Sequence, residues 1–327
     1  MHYVVGVDIG GTNIVVGTVA EDGSAVHGVR SAPTHAEEGP EAVLGRIARL
    51  VQVSMAEAEK AAGIPRRNIV GVGIGSPGPL DRKRGMVLLT PNLGWRDLPL
   101  RQLVSEAVGL PATLDNDANC AIYGEWWVGA ARGTRYVVGL TIGTGIGGGI
   151  VLDGRIYHGT SDVAGEFGHT TIDSTGRLCK CGNYGCLEAY ASGPAIAARA
   201  AEGIASGADT RLPEMVGGDL SRLTAQTVYE AASGGDQYAL EVVRDTAKFL
   251  GIGVGNIVNI FNPDLVVIVG GVTMAGDQLF TPLRSEVKRR AFKPAVERCR
   301  IVPGVLPGTA GVVGAAATFH HHVGDEP

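Results

Sequence analysis

Tyr3-Val-Val-Gly-Val-Asp-Ile-Gly-Gly-Thr12 is an apolar run that reads as a buried strand ending in a glycine turn, with a single carboxylate, Asp8, near its end. A second apolar run, Ile14–Ala20, follows at once and turns at Asp22-Gly23. The order is strand, tight glycine loop, strand, hairpin turn. The same order returns in the middle of the chain. Val4-Val5-Gly6-Val7-Asp8-Ile9-Gly10 is echoed by Val137-Val138-Gly139-Leu140-Thr141-Ile142-Gly143. The second copy also runs through a glycine loop and an apolar strand into an Asp-Gly turn, Asp153-Gly154. Duplication of a whole unit is an organisational signal. It predicts two similar α/β domains with a cleft between them, the default place for a ligand.

Outward from the first copy, Glu41–Ala62 has helical periodicity, with Val43, Ile47, Leu50, Val51 and Met55 on one face. Ile69–Ile74 reads as a buried strand running into Gly75-Ser76-Pro77-Gly78-Pro79, Leu98–Val108 as a helix, and Pro111–Leu114 as a short strand before Asp115-Asn116-Asp117. Beyond the second copy, Tyr238–Gly251 reads as a helix and Leu265–Val269 as a strand ending in Gly270-Gly271. The small apolar residues of Ala310–His321 read as a helix that packs back on the first domain. The expected division is a small α/β domain of residues 1–120 and 312–327 and a large one of residues 121–311.

The 327 residues are enough for two domains with a sizeable core. Hydrophobic residues make up 45% and charged residues 19%, the balance of a globular chain. A net charge of −5 with no long basic run argues against nucleic acid or anionic membrane as the main partner. No apolar run reaches membrane-spanning length and no secretory signal is read, so a soluble cytoplasmic protein is expected.

Gly143-Thr-Gly145-Ile-Gly-Gly148 matches G-x-G-x-x-G, but the dinucleotide fingerprint needs a helix directly after the glycines, and Gly149–Leu152 continues as a strand. No G-x-x-x-x-G-K-[ST] is present. What remains is two hairpins with glycine-rich tips, Asp8–Thr12 and Gly143–Gly148, whose bare backbone N–H groups suit phosphate oxygens. Asp8 and Thr12 are available for magnesium and phosphate. The competing reading, that these glycines only make tight turns, loses weight because the loop occurs twice. Asp115-Asn116-Asp117-Ala118-Asn119 reads either as a strand-end carboxylate able to take a proton from a hydroxyl, or as a turn or helix cap, and the segment alone favours the cap.

Glu166-Phe-Gly-His169 is followed by Cys179-Lys-Cys181-Gly-Asn-Tyr-Gly-Cys186, with Glu188 just beyond. Three thiolates and an imidazole form a closed tetrahedral set suited to structural zinc, and the absence of an export signal argues against disulfides. Cys120 and Cys299 stand alone and read as buried small hydrophobes. His158 has no partner visible in sequence, and His320–His322 reads as a short solvated run.

Taken together, Asp8-Ile-Gly-Gly-Thr12, Asp115-Asn-Asp117-Ala-Asn119, Gly143–Gly148, Glu166-Phe-Gly-His169 and Cys179–Glu188 resemble the ROK family of repressors, open reading frames and sugar kinases, from residue 3 to about residue 315. The resemblance implies the two-domain actin-like (ribonuclease H-like) ATPase fold. It implies that Asp117 is the general base for a sugar hydroxyl, that Asn116, Glu166, His169 and Glu188 hold sugar hydroxyls, and that Gly75 and Asn92 line the same pocket. His169 would bind zinc through one nitrogen and sugar through the other, with Cys179, Cys181 and Cys186 completing the zinc shell. Asp8, Gly10, Gly11, Thr12, Thr144, Gly145 and Gly147 would hold ATP phosphates with magnesium, and Gly270 and Gly271 would lie near the adenosine. Pro91-Asn92-Leu-Gly-Trp95 and Ala164–His169 look like the glucokinase branch, which implies transfer from ATP to the 6-hydroxyl of glucose. An N-acetylmannosamine or other N-acetylhexosamine kinase is the nearest alternative. A sugar-responsive repressor is disfavoured, because the first glycine loop begins at Asp8 with no room before it for a helix-turn-helix. Members of such a family are often dimers or tetramers.

Overall fold

The computed structural model describes residues 1–322; residues 323–327 of the expected small domain lie outside the described residues. Two compact units emerge. The first comprises residues 1–134, 149–165 and 305 onward, and the second residues 135–148 and 166–304.

The first unit is built on a five-stranded sheet of β1 (Tyr3–Ile9), β2 (Asn13–Ala20), β3 (Val26–Pro33), β4 (Ile69–Ser76) and β8 (Ala112–Asn116), in the order β3-β2-β1-β4-β8. β1, β4 and β8 run parallel, and β2 and β3 are antiparallel additions at one edge. A smaller antiparallel sheet joins β5 (Leu80–Asp81), β6 (Met86–Thr90) and β7 (Trp95–Leu98). Helices α1 (Pro40–Ala62) and α2 (Leu100–Val108) cover one face of the large sheet, where Val43, Ile47, Val51 and Met55 meet Val5, Val7, Ile9, Val72 and Ile74.

The opposite face of that sheet takes α11 (Ala310–His322), which packs on β1, β4 and α3 (Asp117–Trp127). Strand side chains alternate between faces. The alternate positions that face α11 are Val4, Gly6 and Asp8 on β1, and Gly71 and Gly73 on β4. A Cβ on Gly6 would lie 1.9 Å from the Val312 carbonyl oxygen, and one on Gly73 1.7 Å from that of Ala315. The glycines of Val-Gly-Val and Val-Gly-Ile are therefore the contact surface for a helix backbone, and the valines and isoleucines between them are the core of the other face.

The second unit carries β9 (Tyr136–Ile142), β12 (Leu265–Val269) and β13 (Arg300–Pro303), parallel to one another, in a sheet whose order β11-β10-β9-β12-β13 includes β10 (Ile146–Leu152) and β11 (Arg155–Ile156). This is the order of the first sheet over again, as the duplicated sequence predicts, and it is the ribonuclease H-like arrangement. Its helices are α4 (Glu188–Ala191), α5 (Gly193–Ala205), α6 (Leu212–Met215), α7 (Ala225–Ser233), α8 (Gln237–Phe261), α9 (Asp277–Arg290) and α10 (Lys293–Val296).

Helix α8 runs ten residues beyond the expected end at Gly251, to Phe261. The glycines there serve packing: a Cβ on Gly253 would come 2.6 Å from Leu187 Cδ2. The expected domain limits, 1–120 with 312–327 and 121–311, differ from the contact-defined units at residues 121–134, which hold most of α3, at 149–165 and at 305–311. That helix groups with the first unit because it packs on α11. His320 is half-buried rather than solvated, and His321, though exposed, sets its ring against Tyr123, Trp126 and Trp127. Cys299 is only partly buried.

Gly73→Ala should cost about 3 kcal/mol or more, the upper end for overpacking, because backbone rather than a flexible side chain blocks the new methyl. Gly45→Ala on α1, where nothing lies within 4 Å, should gain about 0.5–1 kcal/mol. Thermal melts of the two variants in opposite directions check the packing argument; two equal shifts would refute it.

Candidate active site

In the first unit the parallel register places the predicted residues in a row. Asp8 pairs with Gly75, Gly75 with Asp115, and Ser76 with Asn116, all at the carboxyl ends of β1, β4 and β8. The carboxyl ends of parallel strands are where open α/β sheets bind ligands. The Asp8–Thr12 turn is closed by the Gly10 N–H donating to the Asn13 carbonyl at 2.9 Å, and the Thr34 hydroxyl donates to the Gly10 carbonyl at 2.7 Å. Gly11 and Thr12 are exposed, and Asn92 lies beside Gly11, 3.6 Å from where a Cβ would be.

The segment Asp115–Asn119 is both of the things its sequence suggests. Asn116 is the N-cap of α3, its Oδ1 accepting from the N–H groups of Ala118 (2.9 Å) and Asn119 (3.2 Å). Capping leaves the Asn116 Nδ2 to donate elsewhere. Asp117 is the first residue of the helix and packs against Gly75, whose Cβ would lie 3.5 Å from the Asp117 Cα. A carboxylate at a helix start is favoured by the exposed N–H groups there.

Asp8 is deeply buried, and burial together with the charge of Asp117 raises it to about 7. The first turn of α11 closes over it: a Cβ on Gly311 would come 2.2 Å from Asp8 Oδ2. Asp115 is fully buried. Burial by itself would raise it, but hydrogen bonding and charge from His158, then the charge of Arg82, hold it below the usual carboxylate range. His158, for which the sequence shows no partner, has one in Asp115, and Arg82 is a residue that the sequence analysis does not single out. They lie far from Asp115 along the chain and carry no motif.

In the second unit the glycine loop is closed by the Gly143 N–H donating to Gly145 O at 2.9 Å, and the Gly193 N–H donates to Gly143 O at 2.9 Å. Glu188 supports this loop: its Oε2 accepts the Ile146 N–H at 2.8 Å. Gly147 lies within β10 rather than at the tip. A cavity of about 850 Å³ is lined by Gly143, Thr144, Pro194, Tyr229, Gly271 and Met274 among others, so the loop and the glycine after β12 open on one space.

His169 ends a single 3₁₀ turn, Phe167–His169. Its Nδ1 is 3.8 Å from Cys179 Sγ, while its Nε2 is 4.0 Å from Glu166 Oε2. Cys181 and Cys186 sulfurs are 3.7 Å apart, and one ligand atom from each of His169, Cys179, Cys181 and Cys186 falls within 4.8 Å of every other. Short bridges, Thr171 with Cys186 and Leu178 with Tyr184, fold the segment so that the cysteines meet. Desolvation pushes Glu166 above the usual carboxylate range; His169 pulls it back and Glu188 adds to the rise.

The ROK family model matches residues 4–322. A glucokinase of Thermotoga maritima is 37% identical over 321 residues, covering 98% of each chain. A putative xylose repressor of a Caldicellulosiruptor species is 38% identical over 266 residues, 81% of this chain and 66% of that one. Among solved structures, a ROK family glucokinase from Streptomyces griseus in complex with glucose and AMPPNP superposes with a TM-score of 0.84 at 34% identity, covering 96% of this chain and 98% of that one.

The raised Asp8 has a consequence for stability. The folded protein holds a proton on Asp8 up to about pH 7, while an unfolded aspartate loses it near pH 4, so stability falls as pH rises through that window. In magnesium-free buffer Asp8→Asn should melt higher than the wild type at about pH 8, with the gap closing as pH falls toward 4. A difference that does not vary with pH would overturn this.

Proposed function

The chain belongs to the ROK family, and from that premise we infer that it is an ATP-dependent hexokinase that phosphorylates glucose at the 6-hydroxyl, with Asp117 as general base. The observation that carries the reading is the strand-end row of the first unit, in which Asp117 opens a helix against Gly75 with the buried Asp8 carboxylate as its neighbour.

A free sugar hydroxyl is a poor nucleophile, so it needs a base and a fixed direction of attack. Asp117 takes the proton from the 6-hydroxyl as the oxygen attacks the γ-phosphorus and ADP leaves. Asn116 donates Nδ2 to a ring hydroxyl, held in place by its own capping bonds. Glu166, His169 through Nε2, and the Glu188 oxygen not engaged with Ile146 read further hydroxyls. Such polar sites reject analogues that leave a buried carboxylate unmatched. Gly75 and Asn92 line the sugar pocket.

The backbone of Gly10, Gly11 and Thr12 and that of Thr144 and Gly145 cradle the phosphates, and the apolar lining of the cavity beyond Thr144, including Ile142, Leu223 and Val272, suits an adenine ring, with Gly270 and Gly271 at its edge. Magnesium bound with ATP supplies neutralisation of the phosphoryl oxygens, and Asp8 is the carboxylate that would hold it: a nearby divalent cation favours the ionised form that burial otherwise disfavours.

The Cys3His set fits structural zinc. Two thiolates on a tetrahedral zinc, each at about 2.3 Å, lie about 3.8 Å apart, which the 3.7 Å between Cys181 and Cys186 sulfurs matches. Four protein ligands leave no open position, so the role of the metal is to hold Glu166, His169 and Glu188 in place. A cytoplasmic location and association into dimers or tetramers go with this reading, both supported by the family resemblance.

Asp117→Asn should lower kcat by about 10²–10⁴ while KM for glucose changes little, measured by a coupled ADP assay. In the wild type, kcat/KM should be higher for glucose than for mannose, N-acetylglucosamine or N-acetylmannosamine, with the phosphate on O6 by NMR. N-acetylmannosamine ahead by tenfold, about 1.4 kcal/mol, would replace glucose as the substrate.

Elemental analysis should find one zinc per chain in freshly purified protein. Cys181→Ala should lose it, melt earlier and raise KM for glucose more than KM for ATP. A zinc-free wild type would refute the assignment.

A further inference from the structure

Asp115 lies two residues before Asp117 and has no exposed surface. A carboxylate so placed cannot be solvated, and its state is decided by the donors around it. Those donors divide between its two oxygens. Oδ1 accepts the Asn116 N–H at 2.7 Å and the Asn119 Nδ2 at 3.3 Å, both in the turn that opens α3. Oδ2 accepts from His158 Nε2 at 2.9 Å and lies 3.0 Å from Arg82 Nε. His158 Nε2 also lies 3.2 Å from Oδ1.

Arg82 follows β5 and His158 follows β11, and these two segments are tied together at the same point. Asp162 Oδ2 accepts the Arg82 N–H at 3.1 Å, and its Oδ1 is 3.8 Å from Arg82 Nη1. The Ala164 N–H closes the loop on the His158 carbonyl at 3.1 Å. One oxygen of Asp115 thus grips the start of the helix that carries Asp117, and the other is gripped by a distant imidazole and a guanidinium.

We propose that His158 is a positioning residue for phosphoryl transfer, acting through the Asp115 carboxylate on the turn that sets Asp117. The proposal rests on the kinase reading. Four donors in this turn are held by two side chains: the N–H of Asn116 and the amide of Asn119 by Asp115, and the N–H groups of Ala118 and Asn119 by Asn116. Without the His158 donor, Asp115 keeps its buried charge with one partner fewer on Oδ2. It then rotates toward Arg82 or takes up a proton, and either change loosens the Oδ1 grip on the turn. A shift of about 1 Å in a catalytic group costs about 10²-fold in rate.

His158→Leu should lower kcat by about ten- to a hundredfold, with KM for ATP within about twofold of the wild type and the far-ultraviolet dichroism unchanged. His158→Gln, which can bring an amide donor close to the position of Nε2, should recover most of the lost kcat. A His158→Leu protein that melts earlier yet keeps full kcat per folded molecule would show a purely structural role and overturn the proposal. So would a glutamine variant as slow as the leucine one. If the leucine variant does not fold, Arg82→Met, which removes the other Oδ2 partner, takes its place with the same expected loss and the same readouts. A wild type that phosphorylates no hexose would sink the kinase reading and this proposal with it. A wild type that turns over alongside an unimpaired His158→Leu would sink only the role of His158.

Discussion

The backbone of α11 lies directly on β1 and β4 at Gly6 and Gly73, where no side chain comes between helix and strand. Much of the first unit follows from that contact. It requires glycine at alternate strand positions, and the residues between must then supply the core on the other face. It brings the first turn of α11 over Asp8. It also lets α3 pack beside α11, so that Asp117 stands at the end of β8 with its neighbours at the ends of β1 and β4. A side chain at Gly6 or Gly73 would lift the helix and uncover Asp8.

The row at those strand ends holds three aspartates of identical chemistry and different fates. Asp115 has several donors and remains an anion in a buried place. Asp8 has a neighbouring carboxylate instead, and its proton becomes hard to remove. Asp117 sits at a helix start. The fully partnered carboxylate is suited to hold structure; Asp8 is the one whose charged form is disfavoured by its surroundings. Environment assigns these roles, as it does wherever titratable groups in one site are pushed apart. Glu188 shows the same division within one side chain, with one oxygen bonded to the glycine loop.

The duplicated strand–loop–strand units were legible because each is local and repeated, and β1 spans the residues expected, Tyr3–Ile9. The Cys-His cluster was legible because its donors lie within eighteen residues of one another, and the structure does bring them together. Helix α8 was read short because glycine within a helix normally signals an end, whereas Gly253 is needed against Leu187. Helix α3 was not read as a helix at all: Asp-Asn-Asp suits turns and caps equally, and only packing on α11 decides between them. The His158–Asp115 pair spans 43 residues and the Arg82–Asp115 pair joins the β5–β6 hairpin to the end of β8, so no local pattern could announce either. Contacts that close only in three dimensions are where single-sequence reading stops.

The path of the chain gives the two units different mechanical fates. β1, near one end of the described chain, and α11, at the other, belong to the same unit and touch each other, while residues 166–304 of the second unit form a loop between segments of the first. A pulling force applied through handles beyond β1 and α11 would load their mutual contact at once and strip the helix from the glycine strands. The loop would carry no tension until the first unit had come apart. In a force–extension trace the first unit should therefore yield before the second, an order set by connectivity alone and indifferent to which unit is the more stable in solution.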